Sequence, residues 1–277
     1  MVKKLLKPRD AAEALAMLAG EPGSLALAGG THLLSPRFAG EDLVLVSVAG
    51  ILPAAISVEA GALRIGANAT FQDLADSRIA PEALRRAALC MANRNVRNMA
   101  TVGGNLGANK ACGSLPPLLI AAGATLRLAG GEGEAKVEDW LALPAGSRRG
   151  LVESVLMPLP ASRSIAYRRW SRTACDLSVI IAAVALDRPA SPGAAIGGLR
   201  IALGGMAPYA RRFPELEALF EGRPFPGLDA AQAAIAPLLR PVDDLRGSAA
   251  FKRLRGAALL AEAMAEAAGV PAPGGKA

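Results

Sequence analysis

Asn98-Met-Ala-Thr-Val-Gly-Gly-Asn-Leu-Gly-Ala-Asn-Lys-Ala-Cys-Gly-Ser-Leu-Pro-Pro117 is the stretch from which the rest of the chain is read. A short apolar lead runs into the pair Gly103-Gly104, small and polar residues follow, and Pro116-Pro117 opens an apolar run. Without Cβ atoms, paired glycines let the backbone lie flush against a ligand. Successive free N–H groups in such a loop cradle an anion. An ordinary tight turn has the same composition, and the chain holds six Gly-Gly pairs, so this pair alone decides nothing.

A second pair stands in a similar setting at Leu25-Ala-Leu-Ala-Gly-Gly-Thr-His-Leu-Leu34. The apolar run 24–28 predicts a strand that delivers Gly29-Gly30-Thr31-His32, with a short helix from Leu33. Phosphate oxygens bind well where a glycine loop enters a helix. A third segment, Leu63-Arg-Ile-Gly-Ala-Asn-Ala-Thr70, reads as a strand leading to Thr70 as the cap of a helix over 71–76. Taken with Arg97-Asn98 and Ala-Thr-Val-Gly-Gly-Asn105, these segments resemble the FAD-binding subunit of the xanthine dehydrogenase and carbon monoxide dehydrogenase family. Tyr167-Arg168-Arg169, residues 176–186, Ala202-Leu-Gly-Gly-Met-Ala-Pro208 and Asp244-Leu-Arg-Gly-Ser-Ala-Ala-Phe251 resemble that family's C-terminal domain. The resemblance therefore covers almost the whole chain, in one order.

The resemblance implies an α+β fold. A two-part FAD-binding domain of the vanillyl-alcohol-oxidase/PCMH type would span 1–160, in parts of about 1–55 and 56–160. A smaller α+β domain would follow over 161–268, then a disordered tail over 269–277; Pro158-Leu-Pro160 marks the boundary. The resemblance places FAD against Leu27, Ala28, Gly29, Gly30, Thr31, His32 and Leu33, then Thr70, then Ala100, Thr101, Gly103, Gly104 and Asn105, with Ser114 on a ribose and Arg168 near the flavin. Both glycine loops would offer free N–H groups to the pyrophosphate, with Gly104 needing positive φ. No catalytic residue and no metal ligand is assigned to this chain. The implied partners are an iron–sulfur subunit, a molybdenum-cofactor subunit and a soluble electron acceptor such as NAD.

Three features depart from the family's wording. Ser114 stands where an aspartate is common, and a serine keeps one hydrogen bond but loses the charge. His32 replaces an acidic or small polar residue, and Asn109-Lys-Ala-Cys-Gly113 replaces an Ala-Ser-Pro pattern. These departures motivate an alternative, a structural subunit of the same fold without FAD.

Composition sets the outer bounds. The 277 residues suffice for two domains, and 52% are hydrophobic, with no run approaching a membrane span. The start is basic but lacks the long apolar region of a secretory signal. Cys90, Cys112 and Cys175 are odd in number and widely spaced, which argues for free thiols and a reducing cytoplasm. They cannot alone hold a typical iron–sulfur cluster, and His32, the single histidine, rules out a multi-histidine zinc site. No dinucleotide fingerprint or P-loop occurs. Net charge +7 raises a nucleic-acid reading, but the basic residues are scattered and aromatics are 4%, too few for stacking platforms. The remaining pattern predicts helices over 10–20, 81–93, 214–221, 229–239 and 249–268. It predicts strands over 43–48, 62–67, 124–128, 134–137, 151–157, 164–170, 177–186 and 199–203. A turn at Gly130-Gly131 and a connection over 187–198 join neighbouring strands.

Overall fold

The computed structural model describes residues 2–130, 133–144, 147–148, 150–191 and 193–270. The chain runs β1 (Val2–Leu6), α1 (Ala11–Gly20), β2 (Leu25–Leu27), β3 (Leu43–Ser47), β4 (Ile56–Glu59), β5 (Ala62–Gly66), α2 (Phe71–Asp76), α3 (Glu82–Leu89), α4 (Arg94–Arg97), α5 (Val102–Ala108) and α6 (Pro116–Ala122). It continues through β6 (Thr125–Ala129), β7 (Glu134–Lys136), α7 (Val137–Ala142), β8 (Leu151–Pro158), β9 (Arg163–Trp170), β10 (Ile180–Asp187), β11 (Arg200–Gly204) and β12 (Arg211–Arg212) to α8 (Pro214–Phe220), α9 (Leu228–Ile235) and α10 (Ala249–Ala267).

Three sheets divide this chain. β1 and β2 flank β3 in a small parallel sheet, with α1 crossing between them. Asp10 caps α1 as its spacing predicts, accepting from the Glu13 N–H. The second sheet, β4-β5-β8-β6-β7, is antiparallel, as is the third, β12-β11-β10-β9. Asn68 ties the first two parts together, its amide donating to Val48 O at 2.8 Å and Leu52 O at 3.2 Å. The α+β expectation holds.

The unbroken apolar run of β10 explains how the C-terminal sheet is mounted. Ile180, Ala182, Val184 and Leu186 join the core under α8, α9 and α10. Ile181, Ala183 and Ala185 face the other way, into the core that holds α6. A strand buried on both faces does not alternate in polarity. Arg200 on β11 crosses the same junction. Its guanidinium donates to Ile120 O at 2.8 Å and Ala121 O at 3.1 Å, carbonyls of the last turn of α6, and pairs with Glu138 at 3.3 Å. Hydrogen bonds to a charged group contribute about 1.5–3 kcal/mol each. Arg200→Met should therefore lower unfolding stability by about 2–3 kcal/mol, read from the denaturant midpoint; an unchanged midpoint would refute this role.

Several elements differ from expectation. The glycine stretch after Thr101 is a helix, α5, and not a loop. Thr101 Oγ1 caps it by accepting the Gly104 N–H at 3.1 Å, and Asn109, left-handed at φ 40°, ends it. Val102 and Leu106 are fully buried, and a Cβ at Gly103 would stand 2.9 Å from Ala67 Cβ. Close packing therefore outweighs the low helix propensity of three glycines. No helix starts at Leu33: one turn closes with Leu34 N–H to Gly30 O, and Pro36, lacking an N–H, begins a separate 3-10 turn to Phe38. α3 stops at Leu89 because Asn93 caps a new helix, α4, by accepting the Val96 N–H. Residue 137 opens α7 and does not end a strand, while β1 and β4 were unforeseen. Gly131 and residues 271–277 of the expected tail lie outside the described residues.

Candidate functional site

A cleft of about 660 Å³ opens where the three sheets meet. That falls within the roughly 300–1,000 Å³ typical of small-molecule and cofactor sites. Its walls come from the β2 end and the turn after it, from the first turns and tail of α5, from Trp140, Arg148 and residues 150–152, and from 175–178 of the C-terminal part.

The structure brings most of the sequence-derived site residues together here. Leu27, Ala28, Gly29, Gly30, Thr31, His32 and Leu33 line the cleft, as do Ala100, Thr101, Gly103, Gly104, Asn105 and Ser114. The two glycine segments meet directly. A Cβ on Gly29 would lie 1.5 Å from Met99 O, so only glycine lets the first turn rest on the backbone leading to α5.

Two residues do not reach the cleft lining. Thr70 spends its hydroxyl in a capping box with Asp73 at the start of α2. Arg168 points to α10, where its Nε donates to Glu266 Oε2 at 2.7 Å; Arg86 holds the other oxygen of that carboxylate at 2.8 Å. Successive strand side chains face opposite ways. Arg169 therefore faces the other side of β9, and it donates to the carbonyls of Ala174 and Asp176, fixing the segment that borders the cleft.

The two glycine segments also differ in what they offer. Val102 N–H donates to Ala69 O, Gly103 N–H to Ala67 O, Gly104 N–H to Thr101 Oγ1 and Asn105 N–H to Thr101 O. Gly104 has negative φ, contrary to expectation. The second segment thus contributes shape, and its amides are already satisfied. The backbone N–H groups of Gly29, Gly30, Thr31, His32 and Leu33 have no acceptor among the described residues, and Gly30 is left-handed at φ 72°. Free anion-binding donors belong to the first segment alone.

The charge of the lining is lopsided. Lys110 and Arg148 are its cations, and Asp176, its one carboxylate among the described residues, is held by Arg172 at 2.8 Å. His32 stands edge-on to Phe38, its Nδ1 buried without a partner. Burial, then Lys110 and Arg37, push its pKa below the ordinary histidine value, so the imidazole is neutral at pH 7. Trp140 Nε1 and Arg148 Nε are likewise buried and unpartnered. Sequence reasoning missed Lys110, Arg148, Trp140 and 175–178 as parts of one site. The only available signal was the departure of 109–113 from the family pattern.

Residues 2–160 match the model of the FAD binding domain in molybdopterin dehydrogenase. The chain belongs to that family. Residues 165–267 match the CO dehydrogenase flavoprotein C-terminal domain. The chain is 32% identical to uncharacterized protein YgfM of Escherichia coli K12, over 96% of each chain. It is also 32% identical to the carbon monoxide dehydrogenase medium chain of Hydrogenophaga pseudoflava, over 88% of this chain and 90% of that one. Among solved structures, a CO dehydrogenase chain from Oligotropha carboxidovorans superposes with a TM-score of 0.85 at 25% identity, covering 98% of this chain and 99% of that one. The chain is thus an FAD-binding oxidoreductase subunit of the molybdenum hydroxylase family. No helix among the described residues is long and apolar enough to cross a membrane.

The residues present fit such a cofactor. Five unpaired amides and two cations face one engaged carboxylate, which suits a diphosphate. The buried, unpartnered Trp140 Nε1 and His32 Nδ1 suit the polar edges of ring systems.

Proposed function

We propose that this chain binds FAD in the cleft and relays electrons from an iron–sulfur subunit to a soluble acceptor such as NAD, while a molybdenum-cofactor subunit oxidises the substrate. The observation that carries the cofactor's placement is the run of five free amides at Gly29–Leu33 in the cleft. The family match supports the rest. Bound FAD supplies the redox chemistry; the protein supplies binding, orientation and electrostatics. In this reading the 29–33 amides hold the diphosphate, Gly103 and Gly104 keep the α5 wall flat, and Ser114, 4% exposed, offers a single hydroxyl toward a ribose. The apolar walls exclude water. His32 and Thr31 contact the cofactor from the first turn.

All three cysteines line this cleft, which makes them reporters of its occupancy. Added FAD should slow alkylation of Cys90 and Cys112, read by mass spectrometry. Unchanged rates at saturating FAD would move the cofactor elsewhere. The relay is tested by co-purification from the native host. Iron–sulfur and molybdenum subunits should accompany the chain, with substrate bleaching the flavin bands; full substrate-oxidising activity of this chain alone would overturn the proposal.

The His32 environment adds a pH dependence. Burial, helped by the charges of Lys110 and Arg37, holds the imidazole's pKa down. A diphosphate beside it would raise that pKa, so binding takes up a proton. FAD affinity should then rise as pH falls through the window below the usual value of about 6.5, by at most about tenfold per pH unit for one proton. His32→Gln should flatten this slope. A wild-type slope of zero between pH 5 and 8, a working range bracketing histidine titration, would exclude the coupling.

A further inference from the structure

Lys110 and Arg148 enter the site from loops that no glycine motif marks. Lys110 follows Asn109, the left-handed residue that ends α5. Arg148 lies beyond α7 and stacks over the Trp140 ring, 5.3 Å from its centroid, with Nη1 donating at 3.4 Å to Gly107 O near the same end of α5. Both therefore gather at the C-terminal end of the helix whose N-terminal turn carries Gly103 and Gly104. Lys110 lines the same cleft as His32 and the free amides of the first turn.

Neither cation has a carboxylate partner among the described residues, and both are partly withdrawn from water. Of the other half-buried arginines, Arg200, Arg212 and Arg168 pair with Glu138, Glu217 and Glu266, while Arg97 and Arg169 are each anchored by backbone carbonyls; the Arg148 guanidinium has one such acceptor, at 3.4 Å. Unpaired charge in a partly desolvated wall is costly unless a ligand compensates it. The surroundings reinforce this. Burial lowers the pKa of Lys110, with the Cys112 thiol offsetting it in part and Arg37 and Arg246 adding to it. Burial alone lowers that of Arg148.

We propose that Lys110 and Arg148 form a two-cation clamp on the diphosphate of FAD, matching its two negative charges and completing the cradle begun by the 29–33 amides. This rests on the reading that FAD occupies the cleft. The clamp gives this chain charge-based affinity for a diphosphate, so FAD binding depends on salt and the flavin ring alone does not engage it.

The test titrates FAD, riboflavin and ADP into the full chain, following flavin fluorescence and, for ADP, competition with FAD. Proteins compared are wild type, Lys110→Met, Arg148→Met, the double variant and Arg148→Lys. Each methionine variant should weaken FAD and ADP roughly ten- to hundredfold, the range expected for one hydrogen bond to a charged group. Riboflavin affinity should stay unchanged, and Arg148→Lys should restore part of the loss. The salt dependence of FAD binding should be shallower in the double variant. Cofactor-free thermal stability should hold or rise in the methionine variants, because a desolvated, unpaired charge is removed. Equal weakening of FAD and riboflavin, or a fall in cofactor-free stability that accounts for the loss, would assign the two residues a structural role. Unchanged FAD affinity in the double variant would overturn the clamp while leaving FAD in the cleft. Wild type that takes up no FAD would overturn both the clamp and the reading beneath it.

Discussion

Gly29→Ala is expected to destabilise the folded chain by about 3 kcal/mol or more and to abolish FAD uptake. A methyl at this position would stand 1.5 Å from Met99 O and 2.5 Å from Met99 C, both backbone atoms that no side-chain rotation can clear. Overpacking in a well-packed region costs roughly 1–3 kcal/mol, and a forced backbone displacement takes this case to the upper end. The displaced turn carries the five free amides, so their aim at the cleft is lost with the packing. Gly20→Ala is the comparison. Gly20 has open space around its Cβ position and lies outside the cleft lining, so that variant should match wild type in both respects. Calorimetry and FAD titration of the two variants decide it. Wild-type melting and FAD affinity in Gly29→Ala would mean the turn does not rest on Met99.

Gly104→Val should cut FAD affinity by up to about a hundredfold while the chain still folds. The reason differs from the one the sequence suggests. Gly104 has negative φ and its N–H is taken by Thr101 Oγ1, so neither backbone strain nor a lost phosphate contact is at issue. Its Cβ position meets only Thr101 Oγ1, at 2.9 Å, and is otherwise open beside the cleft. A valine there fills cofactor space, worth roughly 1–3 kcal/mol, and crowds the α5 cap, worth about 1 kcal/mol. The upper end of the first cost is close to the ~2.8 kcal/mol of a hundredfold change, and the second falls on folding stability. Circular dichroism confirms folding and an FAD titration gives the affinity; a folded variant binding as tightly as wild type would remove the α5 wall from the site.

Much of this was legible in the sequence because particular residues leave few alternatives. Asp10 and Thr70 cap the helices their spacing predicts, and the apolar run of β10 reads as a buried strand, which the structure buries on both faces. The two glycine segments converge on one cleft because each lets backbone approach backbone. The rest depended on tertiary contacts. α5 carries three glycines, each costing roughly 1 kcal/mol of helix propensity relative to alanine, and is held by the burial of Val102 and Leu106. Arg168 and Arg169 look equivalent in sequence, but strand alternation sends one to Glu266 in α10 and the other to the 174–176 backbone. Lys110 and Arg148 lie 38 residues apart by number and become neighbours of one helix end only when Asn109 bonds Leu141 O of α7 and Arg148 reaches Gly107 O. No local pattern announces such a pair.

The most direct test of the central claim is the flavin content of the purified chain after titration with FAD. The cleft and its amide cradle predict a flavin absorbance spectrum, saturation at one FAD per chain and release of intact FAD on denaturation. A folded chain that stays colourless at saturating FAD would contradict the account.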